Sequence, residues 1–443
     1  MRSTITRKRL LSAALVAGAA CSAELFAHGG TRSHQERVPP GAKSYFGRFT
    51  DADCYVLAMG ADLQAYRTAA GEKSSKALRE MNDTAVKVYK KGGETYRDGR
   101  WLFEPGIYED HPDTTYAGRT EVTPDMAPAR VKGIGNDTSH FMRWPMFLSS
   151  HVEALGSSTP RGAEFVKYRT GLTKQFLTKV LVPPGPEFRG YRVTNYMDGT
   201  NGIYRYKYSA SLPKGFGPYE LSSSLLCGWW VFLHDDRVSE MYRKESTLFP
   251  FTQEEADAYL GPSKAAPYFP NGSYELDCRL AGKLNLDGGA PAPSEKIDEK
   301  DHALWSKHER SVLSSPIWRG SAAESAQFTL MLPLHAAFLN GDKEMQKDFA
   351  DHFARFAEKG PLDMTGATLL GKMEYLYFAT RFLVLAQKTG HSDLIPPRMA
   401  ASVEEEVERL WDGDNPPLSN TGYGEPRFTN YRDYIEWKLA LER

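Results

Sequence analysis

Cysteine is scarce, with four in 443 residues and no Cys-x-x-Cys pair. Such a chain has no disulfide scaffold, and neither its cysteines nor its histidines are spaced like zinc ligands. No metal or other cofactor is expected. Charge of one sign is also missing. Lys plus Arg is 55 and Asp plus Glu is 56, a net of −1, which argues against general nucleic-acid binding. No run of 18 apolar residues occurs, so no membrane-spanning helix is expected in the mature protein. Fixed-period repeats and alternating strand patterns are absent too.

What is present is enough for a large core: 41% hydrophobic and 12% aromatic residues, with an ordinary 25% charged. This excludes a disordered or fibrous chain, and the length alone allows roughly two to four domains. Arg2, Arg7, Lys8 and Arg9 precede an apolar run from Leu10 to Ala20, and Ala20, Ala23 and Ala27 follow as small cleavage positions. That order predicts a secretory signal over 1–27, hence an exported, periplasmic or extracellular protein. After cleavage Cys54, Cys227 and Cys278 remain. An oxidising compartment permits one disulfide, Cys227–Cys278 being one of three pairings, but buried free thiols are the favoured expectation.

Residues 28–50 read as a polar tether, and 51–443 as one domain. Helical spacing predicts helices from Cys54, at 77–89, 141–155 and 163–182, one long helix at 221–242, and five more in the last third. Residues 92–135 are a long Gly/Pro/Asp/Thr-rich excursion, of the kind that frames enzyme sites. Residues 261–298 read as loop. The fold class is all-α, with roughly ten to twelve or more helices whose pairs close into an (α/α) toroid around a central cleft.

One segment departs from the neutral background. Residues 161–214 carry ten basic residues against three acidic ones, with six tyrosines among them. The stretch from Arg189 to Tyr208 interleaves aromatic and basic side chains, which suits an anionic ligand held at one place. Arginine fits carboxylates because its planar fork binds both oxygens. Tyr, Arg, Asn and His without a metal suit β-elimination on a 4-linked uronic acid polymer. There a cation or amide must neutralise the carboxylate beside C5, and a Tyr or His must move protons.

Residues about 134–244 resemble the catalytic part of secreted (α/α)-toroid polysaccharide lyases of the alginate and glucuronan lyase type. The resembling residues are Asn136-Asp137-Thr138-Ser139-His140-Phe141, then Arg189 and Arg192, then Asn201-Gly202-Ile203-Tyr204-Arg205-Tyr206. The resemblance implies proton transfer by His140 and Tyr204, with Tyr196 as another candidate catalytic tyrosine. It implies carboxylate binding by Arg192 and Asn201. Asn136, Arg189, Arg205 and Tyr206 are further candidate substrate contacts, and Trp144 a candidate sugar-stacking residue. The contiguous Asn-His-Ser-Tyr type of string of some alginate lyases is missing. The implied partner is an anionic polysaccharide or oligosaccharide.

Two other readings stay open. An inverting glycoside hydrolase would use a carboxylate pair drawn from Asp137, Asp198, Asp235 and Asp363. A secreted carbohydrate-binding protein would share the basic groove without turnover. Asp235-Asp236-Arg237-Val238-Ser239-Glu240 mimics a magnesium-binding element of terpene cyclases but has no second motif. His308-Glu309 lacks the second His of a zinc protease.

Overall fold

The computed structural model describes residues 47–206, 215–260, 271–314, 321–358, 369–415 and 428–441. The expected signal over 1–27, the expected tether up to residue 46, Tyr208 and Asp363 lie outside the described residues.

The fold is all-α. Its helices are α1 (Asp51–Ala69), α2 (Lys76–Gly92), α3 (Thr138–Phe141), α4 (Trp144–Leu155), α5 (Pro160–Gln175), α6 (Ser223–Leu226), α7 (Asp236–Glu245) and α8 (Gln253–Leu260). There follow α9 (Asn271–Lys283), α10 (Glu299–Leu304), α11 (Arg310–Ser314), α12 (Ser321–Leu339), α13 (Lys343–Glu358), α14 (Leu369–Lys388), α15 (Met399–Asp412) and α16 (Tyr431–Ala440). Two small antiparallel ribbons interrupt them. β1 (Gly93–Thr95) pairs with β2 (Trp101–Phe103), and β3 (Leu181–Val182) pairs with β4 (Arg192–Val193).

Helix starts follow their caps. Ser75 Oγ accepts from Leu78 N at 3.2 Å, and Thr159 Oγ1 accepts from Gly162 N at 3.0 Å with Pro160 at the first helical position. Packing runs in a cycle. From α1 contacts pass to α4, to the 3-10 turn Trp229–Leu233, to α9, α12 and α14, and back to α1. A second layer covers this cycle: α2 lies on α1, α5 on α4, α7 on α9, α13 on α12 and α15 on α14. Aromatic rings fill the space between. Tyr55 meets Phe147 and Tyr377 edge-on at 4.9 and 5.5 Å. A buried polar network ties three helices: Arg381 donates to Asp62 at 2.7 Å and to Glu153 at 3.1 Å, and Thr380 donates to Asp62 at 3.0 Å.

Three sequence expectations are corrected. The helix expected at 163–182 ends as a wide π-turn over Phe176–Val180, and Leu181 enters β3. The long helix at 221–242 is broken twice, where Gly228 (φ 79°) and His234 (φ 57°) adopt left-handed backbone. Glycine suits position 228, because an L side chain is strained at that φ and its Cβ would also crowd Asp277 O at 3.1 Å. The 261–298 loop contains α9, whose Leu276, Cys278, Leu280 and Ala281 are fully buried. Cys54, Cys227 and Cys278 are buried free thiols, so the Cys227–Cys278 bridge is not formed. No helix among the described residues is long and apolar enough to cross a membrane.

Candidate functional site

The segment from Gly135 to His140 runs beside Thr194–Met197. Thr138 N donates to Asn195 O at 3.0 Å, Met197 N donates to Asn136 O at 2.9 Å, and Asp137 bridges Tyr196. This lays the N-terminus of α3 against the loop that carries Tyr204 and Arg205. A third piece comes from the 92–135 excursion. Gly202 allows the crossing: a Cβ there would lie 1.6 Å from Ala117 O, and Ile203 N donates to Arg119 O at 2.9 Å. The excursion delivers Tyr108, His111 and Asp113, none of which stood out in the sequence.

Asp137 caps α3, accepting from His140 N at 3.1 Å. Its carboxylate also faces His140 Nδ1, with both oxygens at 2.9 Å, and accepts from the Ser139 hydroxyl. A carboxylate accepts only, so His140 Nδ1 carries a proton, and in the neutral ring Nε2 then presents a lone pair. Burial alone would raise the Asp137 carboxyl, but His140, Arg205 and Ser139 hold it well below the usual carboxylate range. His111 has the opposite tautomer. Its Nδ1 accepts from Asp113 N at 3.1 Å, which places the proton of the neutral ring on Nε2. Burial lowers the pKa of His111 against the pull of Asp113, which keeps the ring neutral.

Arg205 has a left-handed backbone, φ 56°. Asp113 clamps it twice: Arg205 N donates to Asp113 O at 2.9 Å, and Arg205 Nε donates to Asp113 Oδ2 at 3.1 Å. Such a conformation costs a non-glycine residue about 1–3 kcal/mol and persists only when its surroundings enforce it. The guanidinium lies 5.0 Å from the Tyr204 ring centroid. Burial pushes the Tyr204 phenol well above its ordinary pKa, with Arg205 opposing and Asp137 and Asp113 adding to the rise. Tyr204 holds its proton.

The hydroxyls of Tyr204 and Tyr108, Nε2 of His140 and Nδ2 of Asn136 have no hydrogen-bond partner among the described residues. His140 is only 14% exposed, and Tyr204 and Asn136 are buried. Polar groups without a protein partner in a part-buried site are open to water or a ligand. Several uncommitted ones at one place, with a fixed cation beside them, suit a polar, anionic ligand.

Other sequence candidates fall outside this cluster. Tyr196 is fully buried and its hydroxyl donates to Ile203 O at 3.0 Å, so it is a brace rather than an acid or base. The Tyr206 hydroxyl donates to Thr123 O at 3.0 Å and holds the excursion in place. Asn201 Oδ1 accepts from Asn195 N at 3.2 Å and Tyr219 N at 3.0 Å, which organises the loop. Trp144 is fully buried and stacks on Phe141 at 4.5 Å, so it offers no face to a sugar. Arg189 pairs with Glu255 and donates to Leu248 O at 2.8 Å, a structural clasp. Arg192 lies on β4 against the rings of Phe188 and Tyr219.

The competing carboxylates are committed. Asp198 braces its own turn, accepting from Gly135 N at 3.0 Å and Thr200 Oγ1 at 2.5 Å. Asp235 caps α7 and binds Arg237 at 2.8 Å, so the aspartate-rich string is cap chemistry. No group of three or more metal-ligating side chains occurs among the described residues. No protein-family model matches the chain, and no curated protein or solved structure matches it at a significant level.

Proposed function

We propose that the protein is an exported polysaccharide lyase that cleaves a 4-linked uronic acid polymer, of the alginate or glucuronan type, by β-elimination. The cycle of helix contacts supports a toroid, and the basic n-region and apolar run at residues 2–20 support export. One observation carries the reading: the imidazole of His140 held by Asp137, and the proton-retaining phenol of Tyr204 with the Arg205 guanidinium over its ring, belong to one cluster around Asp137.

In this reading Arg205 and the Asn136 amide neutralise the uronate carboxylate, which makes the adjacent C5 proton removable. His140 Nε2 takes that proton, and Asp137 stabilises the imidazolium that forms. The electron pair becomes the C4–C5 double bond as the C4–O4 bond breaks. Tyr204 gives its proton to the leaving oxygen, and exchange with water resets both groups. Arg205 and Asn136 replace Arg192 and Asn201 as carboxylate contacts.

Incubation with a panel of uronic acid polymers tests the reading. New ultraviolet absorbance from the unsaturated end supports elimination. New reducing ends without that absorbance would mean hydrolysis, and binding without turnover would mean a carbohydrate-binding protein.

A further inference from the structure

Arg192 is held differently from three other arginines of the basic segment. Arg161 pairs with Asp83, Arg189 with Glu255 and Arg205 with Asp113. The Arg192 guanidinium has no hydrogen-bond or ion-pair partner among the described residues. Two rings hold it instead, with its guanidinium carbon 4.1 Å from the Tyr219 centroid and 5.4 Å from that of Phe188. Cation–ring contacts of this kind hold the guanidinium in place without using its N–H groups. The residue is half-buried, so its charge is less screened than that of a surface lysine.

Its surroundings are built rather than incidental. Glu245 accepts from Tyr191 N at 2.9 Å and from the Tyr259 hydroxyl, which pins the strand just before Arg192. Val193 N donates to Ser222 Oγ at 3.0 Å just after it. Tyr219 is tied through its N–H to Asn201, on the loop that leads to Tyr204. Arg192 and the Asp137–His140 pair thus share one scaffold, and four residues separate Arg192 from Tyr196, the bridge partner of Asp137. At strand rise that offset is at most about 13 Å, roughly two to three sugar units of an extended polymer.

The geometry points to Arg192, framed by Phe188 and Tyr219, as a second carboxylate subsite that binds a uronate two or three units away from the reacting sugar. This rests on the proposed lyase reading and narrows it: the substrate is a chain of successive uronates, and short oligomers miss one anchor. A carboxylate fits because the planar fork can donate to both of its oxygens.

The test is the dependence of kcat/KM on chain length for wild type, Arg192→Ala and Arg192→Lys, using uronate oligomers from the dimer to the hexamer. For Arg192→Ala we expect a loss of about 10- to 100-fold on the longest oligomers, as for a lost charge-assisted hydrogen bond, and little change on the shortest one cleaved. Arg192→Lys should fall between, since it keeps the charge but not the fork. Equal loss at every length would place Arg192 at the reacting sugar, and no loss at any length would reduce it to a packing residue. Either result overturns the subsite.

Should wild type cleave no uronate, the lyase reading fails and binding decides the subsite separately. Calorimetry with a uronate hexamer and a neutral hexamer of equal length would then show a preference for the charged one that Arg192→Ala removes. No such preference would overturn the subsite. Unchanged thermal unfolding of the variants separates ligand effects from loss of fold.

Discussion

Asp137 and His140 are joined twice, through the backbone cap of α3 and through the imidazole Nδ1 at 2.9 Å from either carboxylate oxygen. The same carboxylate therefore starts the helix and sets the tautomer of the ring. Replacing it with an amide separates the two tasks. Asp137→Asn keeps a capping oxygen but can no longer hold an imidazolium, so kcat should fall about 10²–10⁴-fold. Stability should fall as well, by about 1–3 kcal/mol near neutral pH. A carboxyl held below its unfolded pKa stabilises above that pKa and loses this effect as pH falls through the folded value. The gap in unfolding temperature between wild type and Asp137→Asn should thus close on acidification below about pH 4.

Tyr204→Phe removes a hydroxyl that has no hydrogen-bond partner among the described residues and leaves the ring against Tyr196 and Phe216. Turnover should drop about 10²–10⁴-fold with nearly unchanged unfolding temperature and oligosaccharide binding. Tyr196→Phe should do the reverse, losing about 1 kcal/mol of stability with the Ile203 hydrogen bond and little rate. Steady-state kinetics and thermal unfolding of the two variants read this out. Retained turnover in Tyr204→Phe would remove Tyr204 from the chemistry.

Glu245 gives a pH signature away from the site. Burial raises its carboxyl to about 7, against hydrogen bonds from Tyr191 N and the Tyr259 hydroxyl. A group with a raised folded pKa contributes fully below its unfolded value of 4.5 and loses that contribution as pH rises through about 7. The stability of wild type relative to Glu245→Gln should therefore fall by up to about 3 kcal/mol between pH 5 and pH 8. Denaturant unfolding across that range measures it, and a difference independent of pH would contradict the assignment.

Gly202→Ala tests how the excursion is held. The new Cβ would meet Ala117 O at 1.6 Å, a clash with backbone that no side-chain rotation relieves. The turn from Ala117 to Arg119 must then lift, which displaces Asp113 from Arg205. We expect a loss of several kcal/mol, about 3 or more, and loss of turnover. Wild-type stability in this variant would show that the crossing is looser than described.

Much of the architecture is legible in the chain. The apolar spacing of Cys54, Leu57, Ala58 and Ala61 follows one helix face, and all four are buried in α1. Breaks were harder to read. Leu221 to Tyr242 is apolar at helical spacing, and only the backbone at Gly228 and His234 reveals three short pieces there. α9 was hidden because it follows a Pro/Gly-rich stretch and ends before another. At the site, Asn136, His140, Tyr204 and Arg205 were legible as polar residues in an unusual local pattern. Arg189 and Trp144 belong to the same pattern, yet one is clasped by Glu255 and the other stacks in the core. Tyr108, His111 and Asp113 lie in a segment without periodicity, whose placement depends on one glycine crossing some 90 residues later. His111-Pro112-Asp113 inside a long excursion was the one available hint.

The most direct measurement is the ultraviolet absorbance of wild type and His140→Ala incubated with alginate, glucuronan and other uronic acid polymers. The account predicts absorbance from an unsaturated uronate with at least one of these polymers, slowed about 10²–10⁴-fold in a folded His140→Ala protein. New reducing ends without absorbance, or equal rates in the two proteins, would contradict it.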